Sequence, residues 1–263
     1  MGWFSDVLGA VRTRLGLDRP EPVALEPVPP GQLATVDALV ARMREIDAGL
    51  PAGDGVRAFS DMYLRVTELV RDRIGQGWFR DAATMTRLDL VFAGLWLEAC
   101  AAPTPNDAWL PLFESRSRTD VLAIQFAVAG MNAHINHDLP IAVVRTCRQL
   151  GLRPDSPGVE EDYQRVTDLL AEVQDDVRRS FLDGLALEVD RRVAGPVADL
   201  VGAWSIGRAR DAAWTNAGVL WSLEGVEPLR TDYLATLSRT VGLASRQLLT
   251  PIAGPQAAAD AAT

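Results

Sequence analysis

Both histidines of the chain fall in one short run, GMNAHINHDLP at 130–140, and that run carries most of the chemistry the sequence offers. His134 and Asp138 are four residues apart, a spacing that sets two side chains on the same helix face. A carboxylate there can orient an imidazole and stabilise its cation, so that His134 serves as a general acid or base. Asn132 and Asn136 in the same run can donate to a substrate oxygen. A metal reading uses His134 and Asp138 with His137 and a carboxylate from another helix, such as Asp89 or Glu98, around one iron, manganese or zinc ion. HExxH, Glu-x-x-His and CxxC spacings are all absent, which removes the zincin, di-iron and Cys-zinc patterns.

A second group lies at 204–221, WSIGRARDAAWTNAGVLW, where helical spacing draws Trp204, Arg208, Asp211, Trp214 and Trp221 along one stripe. These residues are expected either to anchor a core, with Arg208 and Asp211 paired, or to wall a pocket for an apolar or planar ligand. AWSIG around Ser205 mimics a nucleophile elbow but lacks the strand-turn-helix setting that the motif requires. Tyr63, Asp89 and Trp96 each interrupt an apolar face, and Gln125 shares an edge with Asn132 and Asn136. A buried Asp89 calls for a partner, with Arg208 or His134 as the candidates.

Composition removes more chemistry than it adds. All 26 basic residues are arginine. A chain without lysine has no Schiff-base amine, no P-loop lysine and no Ser-Lys dyad. The net charge of −9, with arginines interspersed among acids, argues against nucleic acid as a partner. The two cysteines, Cys100 and Cys147, sit in apolar helical patterns and read as buried free thiols. MGWFSDVLGAVRTRLGLDRPEP has no basic n-region and no continuous apolar stretch, and no window reaches the ~20 apolar residues of a membrane span. The expected location is cytoplasmic.

These groups must be held by helices. Apolar residues recur with helical period from Gln32 to about 46, and then over roughly 55–75, 81–101, 118–137, 140–150, 158–194, 197–223 and 228–249; no stretch reads as a strand. The expected fold is all-α: a single multi-helix, bundle-like domain over 32–250, preceded by an amphipathic helix at 1–18 and a Pro-rich linker at 19–31, and followed by a flexible tail at 251–263. The first helix is expected to pack on its own chain or on a twin subunit, which leaves a homodimer open. Pro140 disfavours helical geometry at Leu139, so the helix is predicted to break near His137, with Asp138 capping the next helix. A break inside a bundle would open polar groups to a cavity bounded by 118–150, the Trp-rich helix and the Asp89 helix.

The run GMNAHINHDLP, with FSDMYLRVTELV, MTRLDLVFA and WSIGRARDAAWTNAGVLW, resembles an uncharacterised bacterial family of all-helical proteins known only as a domain of unknown function. The resemblance spans roughly residues 35–245 and is most specific at Asn132, His134, Asn136, Asp138 and Leu139. It implies a helical domain and no particular activity. From the residues themselves, the expected function is an enzyme that needs no cofactor and acts on a small, largely apolar molecule by isomerisation, cyclisation, elimination or hydrolysis. Its catalytic group would be His134, supported by Asp138, Asn132 and Asn136; Trp204, Arg208, Asp211, Trp214, Tyr63, Asp89 and Gln125 would contact the substrate. The alternatives are a mononuclear metal enzyme at His134 and Asp138, and a non-catalytic binding or scaffold protein.

Overall fold

A computed structural model describes residues 35–171 and 205–252. The expected N-terminal helix and linker, Trp204 and the end of the tail lie outside these residues. The described fold is all-α, with no strand among the described residues. In chain order the helices among the described residues are α1 (Val36–Gly49), α2 (Gly55–Gly75), α3 (Ala82–Ala101), α4 (Leu110–Ser115), α5 (Ala123–Ala133), α6 (Leu139–Leu150), α7 (159–171), α8 (Ile206–Ser222) and α9 (Glu227–Leu248). A five-residue π-helical turn, His134–Asp138, joins α5 to α6.

Local chemistry sets the ends. The side chains of Thr35, Asp54, Asp81 and Ser205 accept backbone N–H groups in the first turns of α1, α2, α3 and α8, satisfying donors that a helix start leaves free. Gly151 ends α6 in the left-handed region (φ 67°), which glycine enters without steric penalty. The fully buried Asp162 of α7 accepts the N–H groups of Arg80 (2.9 Å) and Asp81 (2.8 Å), which ties α7 to the start of α3.

The run α5–π turn–α6 is central. Its first half packs on α2 and α9, and its second half on α3 and α8. Close approach depends on missing side chains: a Cβ on Gly130 would stand 2.4 Å from the Phe59 ring, and one on Gly242 would stand 2.1 Å from the Asp107 carbonyl oxygen. Phe59, Trp96 and Trp109 are fully buried beside this run, each contributing about 1.5–3 kcal/mol of apolar burial.

Two sequence expectations need correction. The helix does not break at His137. It widens instead, and the Leu139 N–H bonds to the His134 carbonyl five residues back, which relieves the clash and missing donor that Pro140 brings to ordinary helical register. The Asp138 side chain makes no cap bond to the helix it precedes; it turns inward. α4, at LPLFES, lies outside the helical stretches expected from the sequence and follows Trp109 into the core.

Candidate functional site

The π turn aims His134 and Asp138 into the seam between α2, α3 and the Trp109 corner. The Asp138 carboxylate is 1% exposed and takes three hydrogen bonds: from Trp109 Nε1 (2.9 Å), His134 Nδ1 (3.0 Å) and His137 Nδ1 (2.7 Å). Burial alone would raise its pKa, but the hydrogen bonds and electrostatic pull of the two imidazoles outweigh it and hold the carboxyl below its usual value. An ionised carboxylate can only accept, so Nδ1 of His134 carries the proton. Burial pushes the His134 pKa down, against the pull of Asp138, so the ring is neutral at pH 7. Its Nε2 is then an unprotonated base. That atom is buried and has no hydrogen-bond partner among the described residues.

Aromatic rings enclose the imidazole. Phe92 stacks on it at 3.6 Å between centroids and 7° between planes, and Tyr63 meets it edge-on at 4.4 Å. Phe59 and Trp109 close the remaining sides at 5.8 and 5.9 Å. Of these rings Phe92 alone is half-buried; it bridges the two largest apolar clusters of the core.

Asp89 lies one helical turn before Phe92 on α3. Its Oδ2 is buried without a partner among the described residues, and burial pushes the carboxyl up to about 7. Neither expected partner reaches it: Arg208 is exposed on α8, and both hydrogen bonds to the two imidazoles are made by Asp138. The Tyr63 hydroxyl is also buried and has no well-aligned hydrogen-bond partner among the described residues, although the Thr67 side chain lies near it; the Thr67 hydroxyl donates to the Tyr63 carbonyl (3.0 Å). Burial, and after it the neighbouring Asp89 charge, raises the phenol well above its usual value. Trp96 Nε1, farther along the same face of α3, has no partner either.

The other sequence candidates are placed differently. Asn132 donates to the Val241 carbonyl and to Ser245 Oγ (both 3.0 Å), and its Oδ1 accepts from Asn136. Gln125 accepts the Leu122 N–H and donates to the carbonyls of Leu248 (2.8 Å) and Thr250 (2.7 Å). All three amides therefore face α9, away from His134. Arg208 and Asp211 are exposed with no ion pair between them among the described residues, and Ser205 acts as the α8 cap. Trp214 lines a small apolar recess with Leu88, Val143, Thr146 and Tyr163, with room for about one water molecule. This recess lies among α3, α6, α7 and α8, near where a cavity was expected, but His134 does not line it.

Sequence reading missed Trp109, Phe92 and Phe59 as the walls of the site, and Arg210 as the buried arginine of α8. Phe92 was findable from its three-residue spacing to Asp89; nothing local marks Trp109. Arg210 is 3% exposed, stacks on Tyr163 at 4.1 Å and bonds to Thr167 Oγ1 and the Tyr163 carbonyl, so it ties α8 to α7. No group of three or more His, Cys, Asp or Glu side chains suited to a metal ion occurs among the described residues, and none of their helices is long and apolar enough to cross a membrane.

Residues 36–251 match a family described as a family of unknown function (DUF5995). The chain belongs to this family. The match runs from the start of α1 to just beyond α9, so the seam around His134 lies wholly within it. No curated protein and no solved structure matches the chain.

Proposed function

We propose that the protein is an enzyme that works without an organic cofactor, using Nε2 of His134 as a general base on a small, largely apolar molecule. One observation carries this reading: Nε2 is buried and unpartnered among the described residues, while the opposite ring nitrogen is held by an ionised, buried Asp138. A core histidine with a purely structural role is expected to use both nitrogens, since leaving a buried polar atom unpaired costs about 1–3 kcal/mol. Asp138 fixes the tautomer that leaves Nε2 as the base, and it stabilises the imidazolium once a proton is taken. The half-buried Phe92 ring is the cover whose rotation would admit a substrate. The interspersed acidic charge favours a small-molecule substrate over nucleic acid, and the cytoplasm is the proposed site of action.

The test compares the wild-type chain with His134→Gln in a small-molecule extract of a host cell, with metabolites followed by mass spectrometry. The expected result is an apolar compound consumed or converted by the wild type and untouched by the folded variant. Identical profiles for the two proteins would overturn the reading.

A further inference from the structure

The face of α3 that carries Phe92 to the imidazole also carries Asp89, three residues earlier. Tyr63, from α2, is in ring contact with both Phe92 (6.0 Å) and His134 (4.4 Å), and it lies near enough to Asp89 for that charge to act on its phenol. Three buried polar atoms without hydrogen-bond partners among the described residues therefore sit on the imidazole and on the two helix faces packed against it: His134 Nε2, the Tyr63 hydroxyl and Asp89 Oδ2. They are an acceptor, a donor and a carboxyl that no arginine approaches among the described residues. Such a set is complementary to a molecule with one removable hydrogen and one oxygen to be held.

We infer that Asp89 is a further catalytic residue of this site, giving up a proton where His134 takes one, and that the substrate is a flat, neutral carbonyl compound. This rests on the role of His134 proposed above. The carbonyl follows from the idle Tyr63 hydroxyl, which needs an acceptor. Neutrality follows because the seam holds the ionised Asp138 and, among the described residues, no guanidinium to receive an anion. Flatness follows from the parallel packing of Phe92 on the imidazole at 3.6 Å, which is the place a conjugated system takes when that ring swings out.

The reaction is an isomerisation. His134 Nε2 removes a hydrogen from the carbon beside the carbonyl. The C–H electron pair moves into the carbon–carbon bond, and the carbonyl π pair moves onto the oxygen, which accepts the Tyr63 hydrogen bond. The substrate carries a carbon–carbon double bond one carbon beyond; as the carbonyl re-forms, the enolate pair shifts into the adjoining α,β bond, and the β,γ π pair takes the proton of the Asp89 O–H at the far carbon, leaving Asp89 a carboxylate. The product has the same formula, and no oxidant or reductant takes part. Imidazolium and carboxylate are restored by proton exchange with water.

The experiment uses the full chain with two probes. Cyclohexanone in D2O reports removal of the α-hydrogen by exchange in NMR spectra; 3-cyclohexen-1-one reports the complete transfer by its conversion to the absorbing 2-cyclohexen-1-one. The wild type is expected to do both, and His134→Gln neither. In Asp89→Asn the ratio of isomerisation to exchange is expected to fall roughly 100-fold, the scale of one proton-transfer group, with partial recovery in Asp89→Glu. Circular dichroism checks that each variant keeps its helices. An unchanged ratio in both Asp89 variants overturns the role of Asp89 while leaving His134 as base. Isomerisation that survives His134→Gln overturns the proposed function itself, and a wild type inert toward both ketones overturns the substrate class.

Discussion

Asp89→Asn should flatten the pH dependence of stability. The carboxyl titrates near 3.8 when free and at about 7 in the folded chain, because burial without a partner disfavours its charge. Between those values the folded state binds the proton and the unfolded state does not, so stability falls as pH rises and stops falling above the folded value. Some three units at ~1.36 kcal/mol each make about 4 kcal/mol in all, of which about 3 kcal/mol falls between pH 5 and pH 8. The isosteric amide carries no proton equilibrium and adds only a constant offset. Asp138 and His134 act the other way: their lowered values contribute stability that is lost on acidification, equally in both proteins. Urea unfolding followed by helical circular dichroism at pH 5, 6, 7 and 8 should therefore show the variant gaining about 3 kcal/mol on the wild type across the series. Parallel curves would refute the placement of an unpaired carboxyl in the core.

Trp109→Phe keeps the ring and removes the Nε1 donor to the buried Asp138 carboxylate; a loss of about 1.5–3 kcal/mol is expected in the same urea assay, and no loss would remove Trp109 from the site. Gly242→Ala puts a methyl 2.1 Å from a backbone oxygen and should destabilise by about 1–3 kcal/mol, whereas Gly218→Ala, with open space around it in α8, should stabilise by about 0.5–1 kcal/mol; thermal melts of the pair test the tight α9 crossing. Asn132→Leu strands the acceptors on Val241 and Ser245 and should cost about 1–3 kcal/mol, while preserving any His134-dependent turnover, which separates the α9 clamp from the seam.

Most helices were legible because each carries its own apolar period. Side-chain caps such as Asp54 and Asp81 then set where α2 and α3 begin. The His134–Asp138 pair was legible for the same reason, since four residues along a helix is a local distance. The faces of α8 were misread. Its tryptophans drew the stripe through Arg208 and Asp211, yet the buried face is Ala209, Arg210, Ala213, Ala217 and Leu220. Small residues let the helix lie close to α6, and the larger rings are left at its flanks.

What the sequence determined by itself is local: helical class, helix starts, the absence of lysine chemistry, and a histidine with a carboxylate one turn away. Tertiary structure decided the rest of the site. Trp109 joins Asp138 from 29 positions earlier in the chain, and Phe92 and Tyr63 reach His134 from α3 and α2. Those meetings depend on how far each helix is rotated against its neighbours, which spacing along one helix does not specify. The π turn sharpens the point: its wider register changes the rotation of everything after residue 138, so a face counted at a constant ~100° per residue does not carry through it.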